Sequence, residues 1–147
     1  MPVSPFFTKT FVLTGSSLFA GTNGAAGLYV TTNDGGTWTV ANSGLTGTQV
    51  HALALQGSVL FAATNGNGIF RSTNNGAGWV ESNSGITNLF AHSLLVIGNR
   101  ILAGTDGGAF VSTDTGGSCF IVRGSGHSCR PNRSRPRRDS GSEYAVR

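Results

Sequence analysis

Two histidines, His51 and His92, stand 41 positions apart, each near the start of an apolar run, HALALQG and HSLLVIG. Imidazole is the commonest metal ligand and titrates near neutral pH, so a pair at one repeat position could hold zinc. No cysteine or carboxylate shares the period to complete a coordination set. The reading preferred is that each ring bonds an adjacent backbone or rim group, and no metal or cofactor is expected. Lys9 holds the corresponding place upstream. A second recurring set is Asn33, Asn74 and Asp114. Two of the three are amides, which cannot exchange a proton near neutral pH. A calcium role for Asp106 and Asp114 lacks the several oxygen ligands such a site requires.

These residues recur because the whole chain does. The stretches GSSLFAGTNGAAGLYVTTNDGGTW, GSVLFAATNGNGIFRSTNNGAGW and GNRILAGTDGGAFVSTDTGGSCF begin at Gly15, Gly57 and Gly98, 42 and 41 residues apart. A period near 40 is the length of one four-stranded unit. Alternation marks the first strand of each unit, with Phe11 and Leu13 in line with His51, Leu53, Leu55 and with His92, Leu94, Val96. The intervening residues are also largely apolar, so both faces must be covered, as when sheets stack broadside. LFAGT, LFAAT and ILAGT follow, then Asn-, Asp- and Gly-rich turns suited to hairpins. LYVTT, IFRST and AFVST return as third strands, and WTVAN and WVESN as fourth strands. Tyr29, Phe70 and Phe110 recur at one position and are read as core, with a carbohydrate platform as the minority view.

Between the third and fourth strands the pattern S/T-x-D/N-x-G-x-x-W recurs. Thr31, Asn33, Gly35 and Trp38 fit it, as do Ser72, Asn74, Gly76 and Trp79; Ser112, Asp114 and Gly116 begin it again, with Cys119 at the tryptophan position. Locally, a short Asx side chain bonds amides of its own turn, the hydroxyl two positions earlier adds another bond, and glycine takes the left-handed conformation. The tryptophan is expected to bury its ring against neighbouring strands. The motif resembles the Asp-box, or bacterial neuraminidase repeat, of sialidase-like, sortilin-like and photosystem II assembly-factor-like β-propellers. That resemblance implies an all-β, partial β-propeller of about three four-stranded antiparallel blades, at 6–42, 45–83 and 86–122.

Sialidases that share the box resemble one another in an arginine cluster, a tyrosine nucleophile with a glutamate partner, and an aspartate acid. Here the array offers Arg71, Arg100, Glu81 and, in a strand, Tyr29. Most glycosidases need two carboxyl groups facing one sugar. With Asp34 and Asp114 assigned to turns, Glu81 and Asp106 remain, and nothing in the sequence places them together. No catalytic residue is nominated. The expectation is a non-catalytic scaffold or binding module for a protein or glycan ligand; the alternative is a remnant of a sialidase-like or other glycoside hydrolase propeller. The expected binding surface is the rim of turns at Asn23–Gly27, Asn65–Gly68 and Asp106–Gly108, which vary in length while the strands between them do not. Its candidate residues are Asn23, Gly24, Asn65, Asn67 and Asp106.

Propellers close with about four to eight blades. Three blades leave apolar end faces, which are association sites, and two copies would supply six. A homo-oligomer through the open faces is therefore an expectation.

Charge divides the chain. Residues 1–122 carry a net −1 and residues 123–147 a net +5, with seven arginines and no lysine in RGSGHSCRPNRSRPRRDSGSEYAVR. This basic C-terminal tail is expected to be disordered, and nonspecific attraction to nucleic acid is a further alternative. No aromatic residue is interleaved in its basic run RPNRSRPRR for base stacking, which argues against a nucleic-acid partner. The abrupt loss of the blade pattern after Ser118, with arginine as the only cation, matches a shifted reading frame over GC-rich DNA, so the natural protein is expected to continue with more blades. Cys119 and Cys129 could pair but define no compartment. The start, MPVSPFFTKTFVLTG, lacks the basic and apolar regions of a signal peptide, although the family resemblance implies a secreted or periplasmic setting. No stretch approaches the roughly 20 apolar residues of a spanning helix.

Overall fold

A computed structural model describes residues 8–24, 26–116 and 121–122. The tail from 123 onward, Cys119 and Cys129 lie outside the described residues. Every regular element described is a strand. The first sheet holds β1 (Thr8–Thr14), β2 (Ser17–Thr22), β3 (Leu28–Thr31) and β4 (Thr39–Val40) in that order. The second holds β5 (Val50–Gln56), β6 (Val59–Thr64), β7 (Gly68–Ser72) and β8 (Val80–Glu81). The third holds β9 (Ala91–Ile97), β10 (Arg100–Thr105), β11 (Gly108–Ser112) and β12 (Ile121–Val122). All neighbours are antiparallel. The chain is thus a partial β-propeller of three sequential blades. No helix among the described residues is long and apolar enough to cross a membrane.

Two-residue turns at positive φ join the first two strands of each blade, with Gly15, Gly57 and Gly98 at 59°, 61° and 59°. That conformation disfavours a side chain, which is why the repeat keeps glycine there. Strand pairing then brings equivalent residues into equivalent places: Phe11, Leu53 and Leu94 sit opposite Ala20, Ala62 and Ala103. The same alanines lie opposite Tyr29, Phe70 and Phe110 on the next strand.

The core lies between sheets. Phe19, Leu28 and Leu45 of the first blade pack with Leu53, Leu60, Phe70 and Trp79 of the second, while Phe61, Ile69 and Ile86 of the second pack with Ala91, Ile101 and Phe110 of the third. Burying each large apolar side chain contributes about 1.5–3 kcal/mol, and in this array that stabilisation exists only where blades stack. Accordingly Phe11 and Leu13 on the first blade, and Leu95 and Ile97 on the third, are more than half exposed. Phe70 and Phe110 are fully buried, as expected of core, whereas the equivalent Tyr29 is half-buried because no described blade covers that face.

A side-chain clamp supports the β2–β3 and β6–β7 hairpins from outside them. Asn83 Oδ1 accepts from the Ile69 amide at 2.7 Å and its Nδ2 donates to the Asn67 carbonyl at 3.1 Å. Asn42 makes the same pair of bonds with Leu28 and Ala26. Replacing Asn83 by Ala leaves a partly buried amide and carbonyl unpaired, so urea unfolding should show a loss of about 2–3 kcal/mol. Asn83→Asp, which keeps the acceptor, should lose less.

Candidate functional site

The motif residues form three closely matching turns. Gly35, Gly76 and Gly116 amides donate to the hydroxyls of Thr31, Ser72 and Ser112 at 3.0, 2.8 and 2.9 Å. Each hydroxyl donates in turn to the Asx oxygen of Asn33, Asn74 or Asp114 at 2.8 Å. Asn33 and Asn74 also accept from the amides of Thr37 and Gly78, both at 2.9 Å. The residue before each glycine is left-handed as well: Asp34, Asn75 and Thr115 have φ of 58°, 59° and 59°. A non-glycine residue there is uncommon, and a β-branched one is strained, so Thr115→Asn should stabilise the protein by about 1 kcal/mol, read as a raised unfolding midpoint.

The second and third turns are also pressed by the blade before them. A side chain on Gly76 would meet a Phe19 ring carbon at 2.5 Å, and one on Gly116 would meet Phe61 at 2.8 Å. Ser82 Oγ donates to the Gly116 carbonyl across the same junction. Trp79 is 3% exposed, and its Nε1 donates to the Ala41 carbonyl of the first blade at 3.0 Å. Trp38, expected to bury its ring likewise, is only half-buried, because among the described residues no blade lies on its side.

The inner strands β1, β5 and β9 run side by side, and each carries a register shift at one residue: Lys9, His51 and His92. A bulge re-aims the side chain it carries. Here it breaks the alternation that aligned the histidines with Leu53, Leu55, Leu94 and Val96. His51 Nδ1 approaches His92 Nδ1 to 3.2 Å, with ring centroids 5.3 Å apart and planes 19° apart. On their outer sides, His51 Nε2 lies 3.3 Å from Asn23 Oδ1, and His92 Nε2 lies 2.7 Å from Asp106 Oδ1. One polar row therefore links all three blades. Burial, and secondarily the nearby His92 and Lys9, lower the His51 pKa below the ordinary histidine value.

The other rim candidates are spread along the edge. Asn65 Nδ2 donates to Gln49 Oε1 at 2.9 Å and its amide to the Gln49 carbonyl, closing the passage between the first two blades. Asn67 contributes its carbonyl to the Asn83 clamp, and Gly24, half-buried, follows the exposed Asn23. Arg71 Nη1 reaches the Thr115 carbonyl at 3.5 Å. Glu81 lies on β8, the edge strand of the second blade, and Asp106 in the β10–β11 turn of the third. Sequence reasoning aligned His51 and His92 with the face of Leu53 and Leu94 and did not foresee that they meet; their recurrence at one repeat position was the available signal.

With this architecture in place, comparison with known proteins is decisive for family. The model of the DUF6242 beta propeller domain matches residues 3–122. The chain belongs to that family. No curated protein matches it. Among solved structures, the DUF6242 propeller domain is similar to the extracellular domain of BT4673 from B. thetaiotaomicron, a candidate hybrid two component system. That likeness has a TM-score of 0.67 and 19% identity, over 83% of this chain and 18% of that one. It is similar to the GH74 enzyme of Niastella koreensis, with a TM-score of 0.56 and 25% identity, over 80% of this chain and 18% of that one. It is also similar to YCF48 from Cyanidioschyzon merolae, with a TM-score of 0.59 and 15% identity, over 80% of this chain and 38% of that one. The chain thus spans less than two fifths of each of these three structures. They include an enzyme and proteins of other kinds on one fold.

Proposed function

We propose that this DUF6242 propeller domain is a non-catalytic recognition or scaffold module, whose ligand is a protein or a glycan read by the rim residues Asn23, Gly24, Asn65, Asn67 and Asp106. The recurring turns are read as Asp boxes that lock blades, not as sources of acid–base groups. The observation that carries this reading is the engagement of Asn33, Asn74 and Asp114 with hydroxyls of their own turns. With Asp34 in the first of these turns, the carboxylates that remain among the described residues, Glu81 and Asp106, belong to different blades.

The test pairs a glycan array with a fluorogenic sialoside assay. The expected result is no turnover; a hit on the array that Asn67→Ala removes marks a lectin, and a blank array marks a protein scaffold. Turnover that Glu81→Gln abolishes would overturn the reading. A second reading, a piece of a glycoside hydrolase propeller, rests on the 25% identity to the N. koreensis GH74 enzyme.

The open end faces at Phe11 and Leu13 and at Leu95 and Ile97 are proposed to take further blades, of the same protein or of a second copy. Native mass spectrometry of this 147-residue chain should find self-association that Phe11→Lys with Leu13→Lys reduces. A strict monomer in both would remove the second copy as occupant.

A further inference from the structure

The row linking the three blades brings two imidazole nitrogens from different blades to the spacing of ligands on one metal ion. Asp106 as a carboxylate only accepts hydrogen bonds, so its 2.7 Å contact requires a proton on His92 Nε2. Asn23 Oδ1 stands 3.3 Å from His51 Nε2, placed to accept from an N–H there. Each neutral imidazole carries one N–H. When both outer nitrogens carry the N–H, the two Nδ1 lone pairs face each other at 3.2 Å, where one cation can accept both.

We propose that His51 and His92 form a two-imidazole site for a borderline divalent transition metal, such as zinc, nickel or copper(II), joining the second and third blades. Two metal–nitrogen bonds of about 2.0–2.1 Å at a tetrahedral angle span roughly 3.3 Å, which matches the observed separation. Asp106 and Asn23 stand where the outer partners of metal-binding imidazoles stand, each on the ring nitrogen opposite the ligating one. The rings meet edge to edge, since their centroids are farther apart than their Nδ1 atoms by about two ring radii, and a small pivot of each lets a metal sit beside the line between them. No group of three or more His, Cys, Asp or Glu suited to a metal converges among the described residues, so the remaining coordination positions would be left to water. Imidazole donors select these metals over magnesium and calcium. The site departs from the sequence expectation of no metal because two bulges from different blades create it.

Thermal unfolding tests this in a Cys119→Ser, Cys129→Ser background, which removes the competing thiols. Zinc or nickel chloride at saturating concentration should raise the midpoint by about 5 °C over the chelator-treated protein. Calcium should do nothing, and His51→Ala or His92→Ala should abolish the rise. Asp106→Asn should weaken binding by about tenfold or more. As a readout independent of stability, nickel should broaden the imidazole resonances of His51 and His92 before those of His127. The proposal is overturned if neither metal shifts the midpoint or the resonances, or if the shift survives in both alanine variants.

Discussion

Gly76→Ala is expected to destabilise the protein by about 2–5 kcal/mol, while Gly35→Ala, at the same position of the preceding turn, should cost about 1–2. Both glycines are left-handed, at 82° and 88°, and that conformation penalises alanine by about 1–2 kcal/mol. The difference lies in what a methyl group would touch. At Gly76 it would meet the Phe19 ring at 2.5 Å, and displacing a packed ring adds about 1–3 kcal/mol. At Gly35 the nearest atom is in Trp38 at 3.9 Å, an ordinary contact. Urea denaturation of the two variants measures the gap, and a second substitution, Phe19→Leu, should recover part of the Gly76→Ala loss. Equal losses at the two glycines would mean that the turn is held by its own bonds and not by the neighbouring blade.

Trp79→Ala should cost about 3–5 kcal/mol, a large share of the 5–15 kcal/mol that stabilises a typical domain. It empties the junction lined by Leu45 and Leu53 and leaves the Ala41 carbonyl without the indole donor. Trp79→Phe keeps most of the ring volume and should lose about 1–3 kcal/mol for the unpaired carbonyl. Trp38→Ala, at an identical place in the repeat, should lose about 1 kcal/mol, because its half-exposed ring gives up little buried area. Unfolding midpoints followed by circular dichroism separate the three variants. A Trp38 loss as large as that of Trp79 would contradict the assignment of the first blade's outer face as uncovered.

Much of this architecture was legible in the sequence because it is local. Positive-φ glycines, Asx turns and two-residue alternation act within a few residues of themselves, so the repeat announces its hairpins and its hydroxyl–Asx–glycine turns. What was not legible depends on neighbours distant in sequence. Trp38 and Trp79 are the same letter in the same motif, yet one is half-exposed and the other buried, since only the second has a blade stacked on it. Asn42 and Asn83 recur in phase as the last residues of WTVAN and WVESN, read only as fourth strands; their clamp on a hairpin 14–16 residues upstream appears only when the fourth strand returns. The histidine pair was hidden for a third reason. Alternation assigns His51 and His92 to the face of Leu53 and Leu94, and a bulge, which period-two reading cannot detect, turns them to the rim.

Broadside stacking is the claim on which these expectations rest, and amide hydrogen exchange at the three turn glycines tests it most directly. All three amides donate to a hydroxyl in the same geometry, but those of Gly76 and Gly116 are buried beneath the Phe19 and Phe61 rings while that of Gly35 is not. Exchange at Gly76 and Gly116 should therefore require separation of blades and track the most stable opening of the protein, with Gly35 exchanging much faster through local opening. If all three amides exchanged at the same fast rate, the turns would be free hairpin ends and the stacked array would be wrong.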